Sequence, residues 1–220
     1  MDNVGTGNIG KNTLSYNHER TLTCYHEAGH TISGLLNFIM ISSVGVPNRK
    51  NKKNVDIGYT YYDLPAVLSD VNDAVLKNAL VVGAIHLHFG GIAAEKIFYK
   101  EMCGSSTIPK ELKYGSHIDR DAATDLIVKN HLAPPGKRRY LYKKSLLDQT
   151  IRGLELYWED VKLISHALYS RKKLLFKDLK EILTKESSNK SFWKSRFKNI
   201  NLLFSSKFGD QDFLNKIVFE

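Results

Sequence analysis

The chain has 220 residues, 42% hydrophobic and 25% charged, enough for one globular domain with a sizeable core and a small appendage. Its 32 basic and 23 acidic residues leave a formal charge of +9, which favours acidic partners, nucleic acid or membrane surfaces without choosing among them. Two cysteines, Cys24 and Cys103, are too few for a disulfide framework and point to a reducing, cytoplasmic-type compartment.

Residues 1–18 are polar and glycine-containing, lack the pattern of a signal peptide, and are expected to form a flexible N-terminal segment. A helix is expected to start near Ser15 or Asn17, either of which can cap it. Its apolar positions Leu22, Tyr25, Ala28, Ile32, Leu35, Leu36 and Ile39 fall on one stripe at about 100° per residue. His26 and His30 lie to one side of that stripe, one turn apart on a common face, with Glu27 slightly further round. Two imidazoles so spaced can converge on one metal ion, and the adjacent glutamate is placed to act on a water at that ion. Cys24 reads as a small core residue. Gly29 costs the helix about 1 kcal/mol relative to alanine, and its small size permits another backbone to approach.

Ile41 to Val46 and Val55 to Tyr62 are β-prone runs around a basic, turn-rich loop, and predict a hairpin. Leu64 to Phe89 reads as one or two helices with Leu68, Val71, Val75, Leu76, Leu80 and Val81 or Val82 toward the core. His86 and His88 are two apart, do not face each other on a helix, and read as structural or partly exposed. Gly90-Gly91-Ile92-Ala93-Ala94-Glu95 suits close helix packing, and a carboxylate there needs a partner. Neither apolar stretch, 31–47 or 78–98, is a clean membrane span, so no transmembrane segment is expected. A loop is expected over 99–115, then a helix to about His131 closed by Pro134-Pro135-Gly136. The basic run 137–144 reads as a solvated loop, and helices fit 145–170 and 174–185. Residues 186–220 form a basic, aromatic C-terminal extension.

Taken together, these stretches resemble a known family. Tyr25-His26-Glu27-Ala28-Gly29-His30 looks like the peptidase domain of the FtsH-type ATP-dependent zinc metalloproteases. Gly90 to Glu95 is similar to that family's G-G-R-x-A-E segment, and Gly115-Ser116-His117-Ile118-Asp119 with Ala123-Thr124 resembles its G-A-S-N-D segment and following A-T. Gly58-Tyr59-Thr60 matches the strand that follows the metal helix, while Ile118 stands where the family has asparagine. The resemblance covers roughly 20–185, so the expected organisation is a peptidase domain over 19–185, standing alone without the family's ATPase module.

The resemblance implies a mainly helical (α+β), zincin-like domain with a small antiparallel hairpin or sheet, one bound zinc, and hydrolysis of unfolded or flexible polypeptides. It carries the ligand role to His26, His30 and Asp119 and the general-base role to Glu27. Glu95 fits behind the ligands, and Glu95 and His117 stay open as alternative third ligands because both side chains serve zinc. Gly58, Tyr59 and Thr60 are candidate substrate-binding residues, since an edge strand can pair with an extended peptide. Implied partners are a polypeptide substrate and a separate ATPase or unfoldase, or further copies of the chain. A catalytically silent zinc-stabilised interaction module would need no base, which Glu27 argues against. The +9 charge and basic tail leave an anionic-surface or nucleic-acid binder as a further alternative, with no recognised nucleic-acid motif to support it.

Overall fold

The computed structural model describes residues 16–46, 58–63, 74–104 and 114–205. Helix α1 (Tyr16–Leu36) is buried on every side from Cys24 to Leu35, so the remaining elements are laid around it. The expected stripe is in the core, with Ala28, Ile32, Leu35 and Ile39 at 0% exposure. The expectation of a helix with one buried flank was too modest, because α2 (Ala74–Cys103) covers the histidine side as well. The two helices cross at Gly29 and Gly90, where a Cβ on either would collide with the other's carbonyl. Helix-weakening glycines are kept here because only their absent side chains let the backbones meet.

Phe38, with φ of 60°, ends α1 and turns the chain into β1 (Met40–Gly45). β1 pairs antiparallel with β2 (Tyr59–Asp63), as the hairpin reading required, in a register from Met40↔Asp63 to Gly45↔Tyr59 with an irregularity between Ile41 and Ser43. The hairpin's basic loop and the expected helical start over 64–73 lie outside the described residues. The sheet has a third strand that was not foreseen, β3 (Lys173–Leu175), so its order is β2-β1-β3. Three residues between two helices are too short to show alternation.

The other differences have local causes. The loop expected from Tyr99 begins later, because α2 continues to Cys103. Helix α3 is Tyr114–Lys129. The basic run expected as a loop is the opening of α4 (Lys137–Leu156), since Lys, Arg, Tyr and Leu carry no helix breaker once Gly136 has turned the chain at φ 77°. The single helix expected over 145–170 breaks at Tyr157, and α5 (Trp158–Arg171) starts with Glu159 and Asp160 against its positive end.

After β3 come α6 (Phe176–Lys185) and α7 (Lys190–Ser205). Trp193, Phe197 and Ile200 on α7 are fully buried in the same core cluster as Leu22 and Ile32, so residues 190–200 pack as part of the main body. Asp160, also fully buried, accepts hydrogen bonds from Trp193 Nε1 and Asn189 Nδ2, both at 3.0 Å. The Arg196 guanidinium lies 3.7 Å from the centroid of the Phe38 ring, fastening α7 to the end of α1.

The architecture is therefore mainly helical with a small antiparallel sheet. By length and composition one described helix, α2, could cross a membrane, and 61% of that window is buried inside the fold.

Candidate metal centre

Helix α1 carries His26 and His30, and their Nε2 atoms lie 2.9 Å apart. From α3, Asp119 brings Oδ2 to 3.1 Å from His26 Nε2 and 3.4 Å from His30 Nε2. Among the described residues these three are the group of side chains able to hold a metal ion, their ligand atoms all within 4.8 Å of one another.

The far nitrogen of each ring is already committed. His30 Nδ1 donates to the Leu87 carbonyl at 2.7 Å, an acceptor that allows no other direction. His26 Nδ1 lies 2.8 Å from Glu95 Oε1, and Glu95 Oε2 in turn accepts from Ser116 Oγ at 3.2 Å. With both Nδ1 atoms protonated, the neutral rings turn two Nε2 lone pairs and a carboxylate oxygen toward one point. Asp119 Oδ2 is buried there, and among the described residues its near neighbours are the two Nε2 atoms, with no other hydrogen-bond donor. Three electron-pair donors facing one another repel unless a cation stands among them, so the donor set fits a metal.

Proton affinities show the same field. Burial opposes a charged ring at His26, yet the Asp119 and Glu95 carboxylates outweigh it and hold its pKa well above the ordinary histidine value. His30 is raised too, as Asp119 overcomes burial and the repulsion of His26. Burial pushes Asp119 upward, but His30 and His26 pull harder and keep it well below the usual carboxylate range.

The flanking residues explain how the site is kept open. A Cβ at Gly91 would lie 2.5 Å from His26 Cε1 and 2.6 Å from the Nε2 atoms of both histidines. Gly91 therefore leaves room where the ligands converge. Glu27, 2% exposed, accepts a hydrogen bond from Thr60 Oγ1 to Oε2 at 2.7 Å. A Cβ at Gly58 would stand 2.5 Å from Glu27 Oε1, so glycine keeps that oxygen accessible. A cavity of about 140 Å³ is lined by His26, Glu27, His30, Thr60, Tyr62 and His88, with Asp119 and Ile118 at its α3 side.

No family model and no curated protein matches this chain. The site's own geometry therefore carries its chemistry.

The structure brings together His26, His30, Asp119 and Glu27, and places Glu95 behind His26 rather than among the ligand atoms. His117, exposed on α3, is outside the group. Of the residues read as substrate-binding, Thr60 donates to the Glu27 carboxylate, Gly58 leaves free the space beside it that a Cβ would fill, and Tyr59 lines the cavity with its ring against Gly45. Three contributors had no signal in the sequence reading: the Leu87 carbonyl, the Ser116 hydroxyl and the Tyr62–His88 pair. Of these, only Tyr62 could have been found, because it lies two residues from Thr60 and shares its face of the strand.

His88 is held neutral, its pKa lowered to about 4 by burial and then by His30. Burial and Asp119 raise the Tyr62 phenol.

Proposed function

We propose that this chain is a zinc-dependent metalloendopeptidase that hydrolyses peptide bonds in unfolded or flexible polypeptides, of the FtsH-like, zincin-like type that its motifs resemble. The observation that carries this reading is the juxtaposition in one cavity of a His26–His30–Asp119 donor set with the Glu27 carboxylate. Three protein ligands leave a position for water, which a structural site closed by four ligands would not. A structural site also has no use for a buried carboxylate with one oxygen held and the other kept clear.

A zinc ion at this donor set would supply a Lewis acid that lowers the pKa of a coordinated water toward about 7 and polarises the scissile carbonyl. The chain's own part is proton handling and orientation. Glu27 takes a proton from the attacking water at Oε1, the oxygen that Gly58 leaves open, while Thr60 fixes Oε2. As the water oxygen bonds to the carbonyl carbon, the carbonyl π pair moves onto its oxygen. Glu27 then passes the proton to the amide nitrogen as the oxyanion's pair re-forms the carbonyl and the C–N bond breaks, giving an amine and a carboxylic acid that ionises to a carboxylate.

Among the described residues strand β2 pairs only with β1, which leaves its outer edge to an extended peptide. Pairing there reads backbone more than side chains, which suits broad specificity. Folded substrates would need a separate ATPase or unfoldase, or an assembly of copies of this chain, to deliver them.

The test is metal analysis together with hydrolysis of labelled casein, with and without chelator. Zinc near one per chain and chelator-sensitive cleavage are expected, and Glu27→Gln should keep the zinc and lose the cleavage. Full activity in Glu27→Gln would refute the mechanism.

A further inference from the structure

The cavity has a second polar wall, for which the chemistry above leaves no role. Tyr62 of β2 and His88 of α2 meet there, Tyr62 Oη lying 2.9 Å from His88 Nε2 with the rings edge to face at 81°. Both side chains line the same cavity as His26, His30, Glu27 and Asp119. The pair is also indexed to that site through two short links. Tyr62 shares a strand face with Thr60, which grips Glu27 at 2.7 Å, and His88 follows Leu87, whose carbonyl holds His30 at 2.7 Å. A hydrogen bond needed only to pin a strand to a helix could sit anywhere along the contact. This one opens onto the cavity.

We propose that Tyr62 is a catalytic hydrogen-bond donor to the carbonyl oxygen that becomes negative as the peptide bond is attacked, and that His88 is the positioning residue behind it. The phenol and the imidazole share one hydrogen bond, which either can donate. Negative charge in the cavity selects the arrangement in which His88 Nε2–H donates to Tyr62 Oη and the phenol O–H donates to the substrate oxygen. No bond to Tyr62 forms or breaks, and its proton remains on the phenol throughout. A donor held in place before the reaction acts mainly on the transition state, so its loss falls on kcat more than on KM.

This assignment rests on the peptidase reading, and the experiment separates the two. The zinc-loaded wild type and Tyr62→Phe are compared for zinc content, kcat and KM on a fluorogenic peptide, and affinity for a phosphinic peptide whose tetrahedral phosphinate mimics the attacked carbonyl. Tyr62→Phe should keep its zinc and its KM within about threefold, while kcat and phosphinate affinity each fall about a hundredfold, as when one oxyanion donor is removed. His88→Gln, which can still donate to Tyr62, should recover most of the activity lost in His88→Leu. An active wild type matched by Tyr62→Phe in both kcat and phosphinate affinity would overturn this assignment and leave the peptidase reading standing. A zinc-bearing wild type that neither cleaves nor binds phosphinate would overturn both. If Tyr62→Phe is unstable, 3,5-difluorotyrosine at position 62 preserves the shape while acidifying the phenol. The alkaline limb of its kcat profile should move to lower pH, and an unmoved limb would overturn the assignment.

Discussion

Thr60 donates its hydroxyl to Glu27 Oε2 at 2.7 Å, joining a strand residue to a helix residue 33 positions earlier. In the proposed mechanism the bond leaves Glu27 one oxygen for chemistry and fixes where that oxygen points. Hydrogen bonds to charged groups contribute about 1.5–3 kcal/mol, so losing this one should be felt in rate. Thr60→Val is expected to lower kcat roughly ten- to a hundredfold with zinc content unchanged. Thr60→Ser, which restores the hydroxyl, should recover most of it. Steady-state kinetics of the two variants decide the matter, and equal rates would remove Thr60 from the mechanism.

Gly91 and Gly29 should fail in different ways when enlarged. A methyl at Gly91 would enter the space among His26 Cε1 and the two Nε2 atoms, so Gly91→Ala is expected to fold and to lose zinc. A methyl at Gly29 meets the Gly90 backbone, which cannot rotate away. Gly29→Ala should therefore destabilise the fold by about 1–3 kcal/mol, the usual cost of overpacking. Circular dichroism melts and metal analysis on both variants separate the two outcomes.

Removal of ligands gives an ordered series. Asp119→Ala should abolish stoichiometric zinc, because Oδ2 is the one carboxylate oxygen among the three ligand atoms. Glu95→Gln weakens the partner of His26 Nδ1, and loss of such outer partners typically costs about 10–100-fold in metal affinity. His117→Ala should leave zinc unchanged, since His117 is exposed and outside the group. Competition with a chromophoric chelator reads all three.

The metal-free protein should depend on pH in a defined direction. His26 and His30 both have folded pKa values above the ordinary histidine value of about 6.5. Their protonation stabilises the fold below that value, and the contribution is lost as pH rises through the folded pKa values. Chelator-treated protein should thus melt at progressively lower temperature from about pH 6.5 upward. Asp119, held low, works at the other end, and its contribution is lost as pH falls through its depressed pKa. Zinc bound at this donor set would displace the histidine protons, so zinc-loaded protein should lack the neutral-to-alkaline decline. Thermal melts across pH with and without zinc test this.

Trp193 tests whether α7 is integral. It is 0% exposed, and its indole N–H donates to buried Asp160. Trp193→Ala should cost about 3–5 kcal/mol and lower the melting midpoint of the whole domain in one transition. A separate low-temperature transition for α7 would show that it unfolds independently.

Much of the candidate metal site is legible without coordinates because its central unit is local. Four residues make about one helical turn, so the sequence alone places His26 and His30 on one face and Glu27 beside them. The β1–β2 hairpin was equally legible, since alternation and turn residues act over a few positions. The helix opening at Lys137, the break at Tyr157 and strand β3 were not, because short-range preference there is weak and packing decides.

What only the tertiary structure decided is which distant groups complete the site. The resemblance nominated Asp119, but its distance to His26 depends on how α3 meets α1. Thr60, a substrate-binding candidate, is also the partner of Glu27, and the Leu87 carbonyl and Tyr62–His88 pair appeared without any motif. Residues far apart in the chain meet only when buried surface outweighs the entropy of ordering the segments between them, and that sum belongs to the whole fold. The sequence alone sets the spacing of the two histidines. The Gly29–Gly90 crossing, where two backbones touch because neither residue has a side chain, brings α2 close enough to orient them.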